Sequence, residues 1–160
     1  MLEVSVRPMR EEEYPLLKKF LYLALYVHKG EDPFPEDIIY KPELKIYYEE
    51  FGKKDDTCLV AEVDAKVIGA VWARIMHDYG YVDDETPSLS LSLVPEYRGR
   101  GIGTRLLLSA INVLRDKGYR QVSLSSQKEN FSCAMYFKAG FTVHHEDEEE
   151  YVMVKDLTSL

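Results

Sequence analysis

The stretch PEYRGRGIG, residues 95–103, places glycine at 99, 101 and 103 and arginine at 98 and 100. Before it, SLSLSLV (residues 88–94) alternates leucine with serine at the period of a strand. After it, Ile102, Leu106, Leu107, Ala110, Val113 and Leu114 recur on one face of a helix that stops at Gly118. A strand that hands over to a helix through glycines has the ingredients of an anion site. The absent side chains let backbone N–H groups approach an oxyanion, and the helix N-terminus adds about half a positive charge.

The flanking elements set the fold. Residues 2–7 (LEVSVR) alternate as a strand. Leu16, Leu17, Phe20, Leu21, Ala24 and Leu25 follow at helical spacing, behind Glu11, Glu12 and Glu13 at the favourable N-terminal end. Residues 28–42, with Gly30, Pro33, Pro35 and Pro42, read as irregular, and a short helix is expected over PELKIYYEEF up to Gly52. TCLVAEVDAKVIGAVWARIM predicts a hairpin turning at Asp64 and Ala65. Beyond the glycine helix come a strand in YRQVSLS, a short helix in FSCAMYFKA ended by Gly140, and strands in FTVHH and EYVMVKDL. The order is strand, helix, helix, three strands, helix, strand, helix, two strands. It predicts one mixed α/β domain over residues 1–160, with six to seven strands, about four helices, and the strand at 120–126 parallel to that at 88–94.

Composition narrows the function classes. With 20 basic and 28 acidic side chains the net charge is −8, against an extended nucleic-acid footprint, yet residues 98–105 hold three arginines and no acid. No run is long and apolar enough for a membrane span, and the N-terminus lacks the order of a signal peptide, so a cytoplasmic protein is expected. Cys58 and Cys133 read as buried free thiols, and a homodimer is expected only from the habits of soluble enzymes. His144 and His145, adjacent on a strand, should point to opposite faces, and no metal site is expected.

Gly103-Thr104-Arg105 lacks the Lys-Ser/Thr of a triphosphate loop, and a dinucleotide fingerprint would need a third glycine at Thr104. The run Arg98-Gly99-Arg100-Gly101-Ile102-Gly103, followed by Thr104, resembles instead the acetyl-CoA pyrophosphate loop of the GCN5-related N-acetyltransferase (GNAT) superfamily. A second resemblance lies in ENFSCAMYFKAGF, with Tyr136, Gly140 and Phe141 in the family's later motif. Asn130 there stands one residue closer to Tyr136 than in the commonest form. The two motifs and what lies between them cover residues 88–141. The resemblance implies the acyl-CoA N-acyltransferase fold, with acetyl-CoA as co-substrate. It implies a pyrophosphate held by Arg98, Gly99, Arg100, Gly101, Ile102, Gly103 and Thr104, and a pantetheine arm lying between two splayed parallel strands and touching Asn130.

Acetyl transfer from a thioester to an amine needs a polarised carbonyl, a neutral amine and a proton for the leaving thiolate. A backbone N–H of Leu93 or Val94 is the candidate for the carbonyl, and the resemblance implies Tyr136 as the proton donor. The strand at 88–93 carries serines where many family members carry a glutamate, which leaves Glu85 as the favoured base, with Asp83, Asp84, His77 and bulk water as rivals. His28, Glu31, Asp32, Phe34, Tyr79, Tyr81, Asp83 and Asp84 suit recognition of a cationic small-molecule or peptide amine. A non-catalytic acyl-CoA sensor, or a regulator that binds another nucleotide through the same loop, are the competing readings.

Overall fold

A computed structural model describes residues 2–158 of the chain. Its strands are β1 (Ser5–Pro8), β2 (Thr57–Val63), β3 (Lys66–Arg74), β4 (Ser88–Leu93), β5 (Gln121–Gln127), β6 (Thr142–Glu146) and β7 (Glu150–Asp156). Its α-helices are α1 (Leu17–Ala24), α2 (Pro42–Lys45), α3 (Ile102–Asp116) and α4 (Ser132–Lys138). The expected order of elements holds throughout. The helix expected over residues 42–51 is the exception in length: only Pro42–Lys45 is α-helical, and Glu50 and Gly52 take positive φ after it.

The strands form a single sheet in the order β1-β2-β3-β4-β5-β7-β6. β2 and β3 join through Asp64 and Ala65, both at positive φ, the mirror-image turn that matches strand twist. β4 and β5 are the parallel pair, because α3 carries the chain across the sheet between them. Their register holds one pairing, Ser88 with Ser123, whereas β5 and β7 pair along the whole of Gln121–Gln127. The sheet therefore forks past Ser88.

Both faces are covered. Leu59, Ala61, Val71 and Leu89 pack beneath α3 and α4, while Val60, Ala70 and Trp72 pack with Phe20, Leu17 and Leu44 on the other side. Two covered faces explain why β2 and β3 read as unbroken apolar runs. β4 departs from its sequence pattern, since Ser88 and Ser92 are buried as fully as the leucines. Ser92 Oγ donates to the carbonyl of Phe20 at 2.7 Å, so Ser92 gives α1 a close seat, while Ser88 Oγ donates to Asp78 instead. Cys58 and Cys133 are free and buried, as expected.

The His144–His145 expectation is overturned. A bulge between Val143 and His145 leaves His144 out of the β6–β7 register, and the two Nδ1 atoms meet at 2.8 Å. No group of three or more His, Cys, Asp or Glu side chains able to hold a metal occurs among the described residues. No helix among them is long and apolar enough to cross a membrane.

Arg74, buried at the end of β3, fastens the irregular segment to the sheet. It forms a bidentate pair with Asp56 at 3.1 and 3.0 Å and donates to the carbonyls of Ile46 and Glu49 at 2.9 Å. Trp72 Nε1 adds a bond to the carbonyl of Tyr47 at 3.0 Å, so the backbone on either side of Tyr47 is pinned. Truncating one partner of a buried ion pair strands the other, at a cost of about 3–5 kcal/mol. Arg74→Ala should lower stability by about that amount in urea unfolding, with Arg74→Lys intermediate because it loses the bidentate geometry.

Candidate functional site

The fork holds two adjoining cavities. The outer one, 700 Å³, is lined by Arg98, Gly99, Gly101, Gly103 and Thr104 on one side and by Asn130, Phe131 and Met135 on the other. The inner one, 370 Å³, lies between Leu89–Leu91 of β4 and Ser125–Gln127 of β5 and is bounded by Tyr136 of α4. Leu91, Asn130, Ser132 and the end of α1 line both.

The outer cavity suits a phosphate. Gly99 and Gly101 take φ of +74° and +82°, a backbone turn that other residues adopt only with strain. This turn ends in α3, whose first intrahelical donor is the N–H of Arg105, bonded to Gly101 O at 3.1 Å. The N–H groups of Ile102, Gly103 and Thr104 thus lack acceptors within the helix. Gly103 has ordinary helical φ, and a Cβ there would meet nothing nearer than Met135 Sδ at 3.6 Å. Neither backbone conformation nor protein packing demands glycine at 103, so its bareness leaves room for something else.

The residues expected at this loop do not all face it. Arg98 lines the cavity while donating to the carbonyls of Leu93 (3.3 Å) and Leu23 (3.4 Å), which ties the loop to α1. Arg100 is exposed and stacks over Tyr97, and the Ile102 side chain is buried in the core as an anchor for α3. Asn130 sits at the junction, where its Oδ1 accepts from the N–H of Ser132 at 2.9 Å. One bond joins the two lips of the cleft, from His28 Nδ1 to Glu129 Oε2 at 3.1 Å, and it raises the pKa of His28.

Strand geometry decides which N–H groups face the fork. Val94 donates to Ile68 O at 2.8 Å, so its N–H belongs to β3 and is not free for a carbonyl in the cleft. Hydrogen-bonding alternates along an antiparallel pair, so the N–H groups of Leu89, Leu91 and Leu93 point the other way, toward β5. The Leu93 N–H thus has the orientation that its expected role needs, and so does that of Leu91, which lines both cavities. Alternation was legible in the sequence, but which edge each N–H would face was not.

Tyr136 is buried, packs edge-on against Phe141 and lines the inner cavity. Burial pushes its phenol well up, so it stays protonated at neutral pH. Cys133 is engaged behind it, donating to Gln127 O at 3.2 Å.

Glu85 is not brought to this place. It lines a separate hollow with Asp83, Asp84 and Thr86 beside Tyr119. The physical reason is direction: β4 runs from Ser88 toward the glycine loop, so a residue before Ser88 lies at the closed end of the fork. Tyr81 also stays away, stacked on His77 and bonded to Asp84. Of the residues expected to recognise an amine, Phe34 and Tyr79 line the inner cavity.

Two carboxylates absent from those expectations do line it, Asp78 and Glu150. Asp78 Oδ2 accepts from Ser88 Oγ at 2.7 Å, and burial raises its pKa. Glu150, opposite Gln127 in the β5–β7 register, is also raised chiefly by burial. The loop carrying Asp78 is wedged on the fork: Ser123 Oγ donates to Gly80 O at 2.6 Å, and a Cβ at Gly80 would fall 3.0 Å from the backbone of Leu124. Asp78 lies in a turn and Glu150 at the end of the acidic run at 146–150, and no local pattern in the sequence marks either for a cavity.

The family model described as the acetyltransferase (GNAT) family matches residues 21–141, and the chain belongs to that family. It is 30% identical over 102 residues to a spermidine N(1)-acetyltransferase of Thermoplasma acidophilum, covering 63% of this chain and 60% of that protein. It is 35% identical over 89 residues to the "Probable N-acetyltransferase camello" of Xenopus laevis, covering 54% of this chain and 39% of that protein. The chain thus spans less than two thirds of the length of these relatives. Among solved structures, the PaiA N-acetyltransferase of Thermoplasma acidophilum in complex with coenzyme A shares the fold at TM-score 0.70 and 23% identity, covering 96% of this chain and 99% of that one. YncA of Salmonella typhimurium with acetyl-CoA does so at TM-score 0.70 and 18% identity, covering 99% and 96%.

Opposite signs at one residue test what Gly103 is for. Gly103→Ala should stabilise the fold by about 0.5–1 kcal/mol through helix propensity. It should also weaken coenzyme A binding. Thermal unfolding and calorimetry read the two effects separately.

Proposed function

We propose that residues 1–160 act as one acetyltransferase domain that moves the acetyl group of acetyl-CoA to a primary amine by direct attack within a ternary complex. The observation that carries this reading is the meeting of the two cavities at Leu91. One is floored by the unpaired amides of α3, the other holds a protonated phenol and two carboxylates, and the cleft between them is the gap of the forked strands. Direct attack needs both partners bound at once, and adjoining cavities meet that need without a covalent intermediate on the protein. The engaged Cys133 thiol fits the same reading.

In this reading the first-turn amides of α3, with Arg98 beside them, receive the pyrophosphate, and Asn130 contacts the pantetheine arm. The N–H of Leu91 or Leu93 polarises the thioester carbonyl, a donor held in place by the sheet before the reaction begins. Tyr136 supplies the proton that the departing sulfur takes up. Its burial disfavours the phenolate, and the same dry surroundings disfavour a free thiolate, so transfer between the two is not penalised by desolvation of one alone.

Release of free thiol from acetyl-CoA, measured across a panel of aliphatic amines, polyamines, amino sugars, amino acids and lysine peptides, tests the assignment. Amine-dependent release is expected, whereas binding of acetyl-CoA with no release across the panel would point to a sensor. Tyr136→Phe should lower kcat about ten-fold or more while leaving acetyl-CoA affinity nearly unchanged. An unchanged kcat would remove Tyr136 from the mechanism.

A further inference from the structure

The inner cavity has an unbalanced lining. Asp78 and Glu150 contribute two carboxylates, and no Lys, Arg or His accompanies them. Among the described residues, Asp78 Oδ1 and Gln127 Oε1 have no partner within hydrogen-bond distance, although both side chains belong to that lining, and the Tyr47 phenol and Gly80 backbone are the groups that face Asp78. Buried acceptors are ordinarily satisfied, and one left unmade costs about 1–3 kcal/mol, more when charged. Two carboxylates and an unpaired amide oxygen around one cavity call for a donor with positive charge. The walls add Tyr26, Phe34, Tyr47 and Tyr79, rings that favour a cation and its aliphatic stem.

We propose that this cavity is the acceptor site, that it takes an aliphatic primary ammonium with no anionic group beside the reacting nitrogen, and that Asp78 accepts the nitrogen's proton while Glu150 and Gln127 hold it in place. The proposal rests on the acetyl-transfer reading above. The protons balance as follows. The Asp78 carboxylate takes one proton from the ammonium, and the freed lone pair forms the C–N bond as the C–S bond breaks. The sulfur takes a proton from the hydroxyl of Tyr136, which regains the second proton of the nitrogen. Asp78 then returns its proton to water.

The same lining sets the specificity. An α-amino acid would bring its own carboxylate to within a few ångströms of Asp78 and Glu150, with no cation in the lining to offset it. n-Butylamine and norvaline isolate that difference, because norvaline is n-butylamine with a carboxylate on the carbon that bears the nitrogen.

Groups facing Asp78 are Ser88 from β4, the phenol of Tyr47 from the segment after α2, the backbone of Gly80 in its own loop, and more distantly Glu150 from β7. Burial raises the pKa values of both carboxylates and pushes the Tyr47 phenol up, so over the acid range Asp78 and Glu150 are the members of this set that titrate. Activity should therefore fall as pH drops and Asp78 gains a proton.

Thiol release from acetyl-CoA, assayed with both compounds, provides the test. The wild-type chain should use n-butylamine and not norvaline. Asp78→Asn should lower kcat/KM for n-butylamine by about 100-fold and flatten its acid limb, the loss expected for a proton acceptor. Glu150→Gln should mainly raise KM, by about ten-fold. Calorimetry of n-butylamine binding to the coenzyme A-loaded protein, unaffected by turnover, should show weaker binding for both variants. Equal use of norvaline, or an Asp78→Asn variant that binds coenzyme A normally with its rate and pH profile intact, would overturn the site. No thiol release with any amine would overturn the acetyl-transfer reading, and this one with it.

Discussion

Two parallel strands joined at one point organise the rest of this molecule. Parallel pairing needs a crossover, and α3 supplies it, but the pairing of β4 with β5 stops at Ser88 and Ser123. Unpaired strand edges inside a domain are ordinarily a liability, because each amide left without a partner forgoes about a hydrogen bond's worth of free energy. Here the exposed edges turn inward onto a cleft. Leu91 and Leu93 direct their N–H groups into it, and the glycine turn places the first amides of α3 at its mouth. The gap in the sheet and the start of the helix act as one polar surface, lined by backbone and so fixed by the fold rather than by side-chain rotamers.

What surrounds the gap is held by apolar packing and by a few polar ties. α1 comes close to β4 because Ser92 is small and bonds the α1 backbone. The Arg74–Asp56 pair and Trp72 pin the strand-free segment around Tyr47. Asp78 and Glu150 run against this economy. Burying carboxylates without a counter-ion opposes folding, and the upward direction of their pKa values expresses that cost. Such cost gathers where chemistry needs it.

The element order was legible in residues 2–158 because apolar periodicity is a local signal and the core follows it. The proposed cofactor half has a contiguous signal, a glycine turn into a helix, because backbone amides would supply its donors. The proposed acceptor half has none. Asp78, Gln127, Glu150 and Tyr47 come from four separate segments and meet only through tertiary packing, so no spacing along the chain announces them. Glu85 was favoured because it is near β4 in sequence, while the direction of the strand puts it at the wrong end. Ser88, Ser90 and Ser92 alternate with leucine, and nothing along the chain signals that Ser88 and Ser92 would be buried. The His144–His145 pair misled similarly, since strict alternation does not anticipate a bulge.

Gly80 shows how these layers meet. It sits against Ser88, Leu124 and Ser125, where a methyl group would meet the β5 backbone. Of the residues it touches, Ser88 stands at the β4–β5 pairing, and Leu124 and Ser125 pair with β7 on their other edge. A larger residue at 80 would press on that backbone and lift the turn that carries Asp78. Position 80 therefore ties the placing of Asp78 to the fit of a turn against the sheet, so that whatever stands there is felt at the cavity wall as well as in the fold.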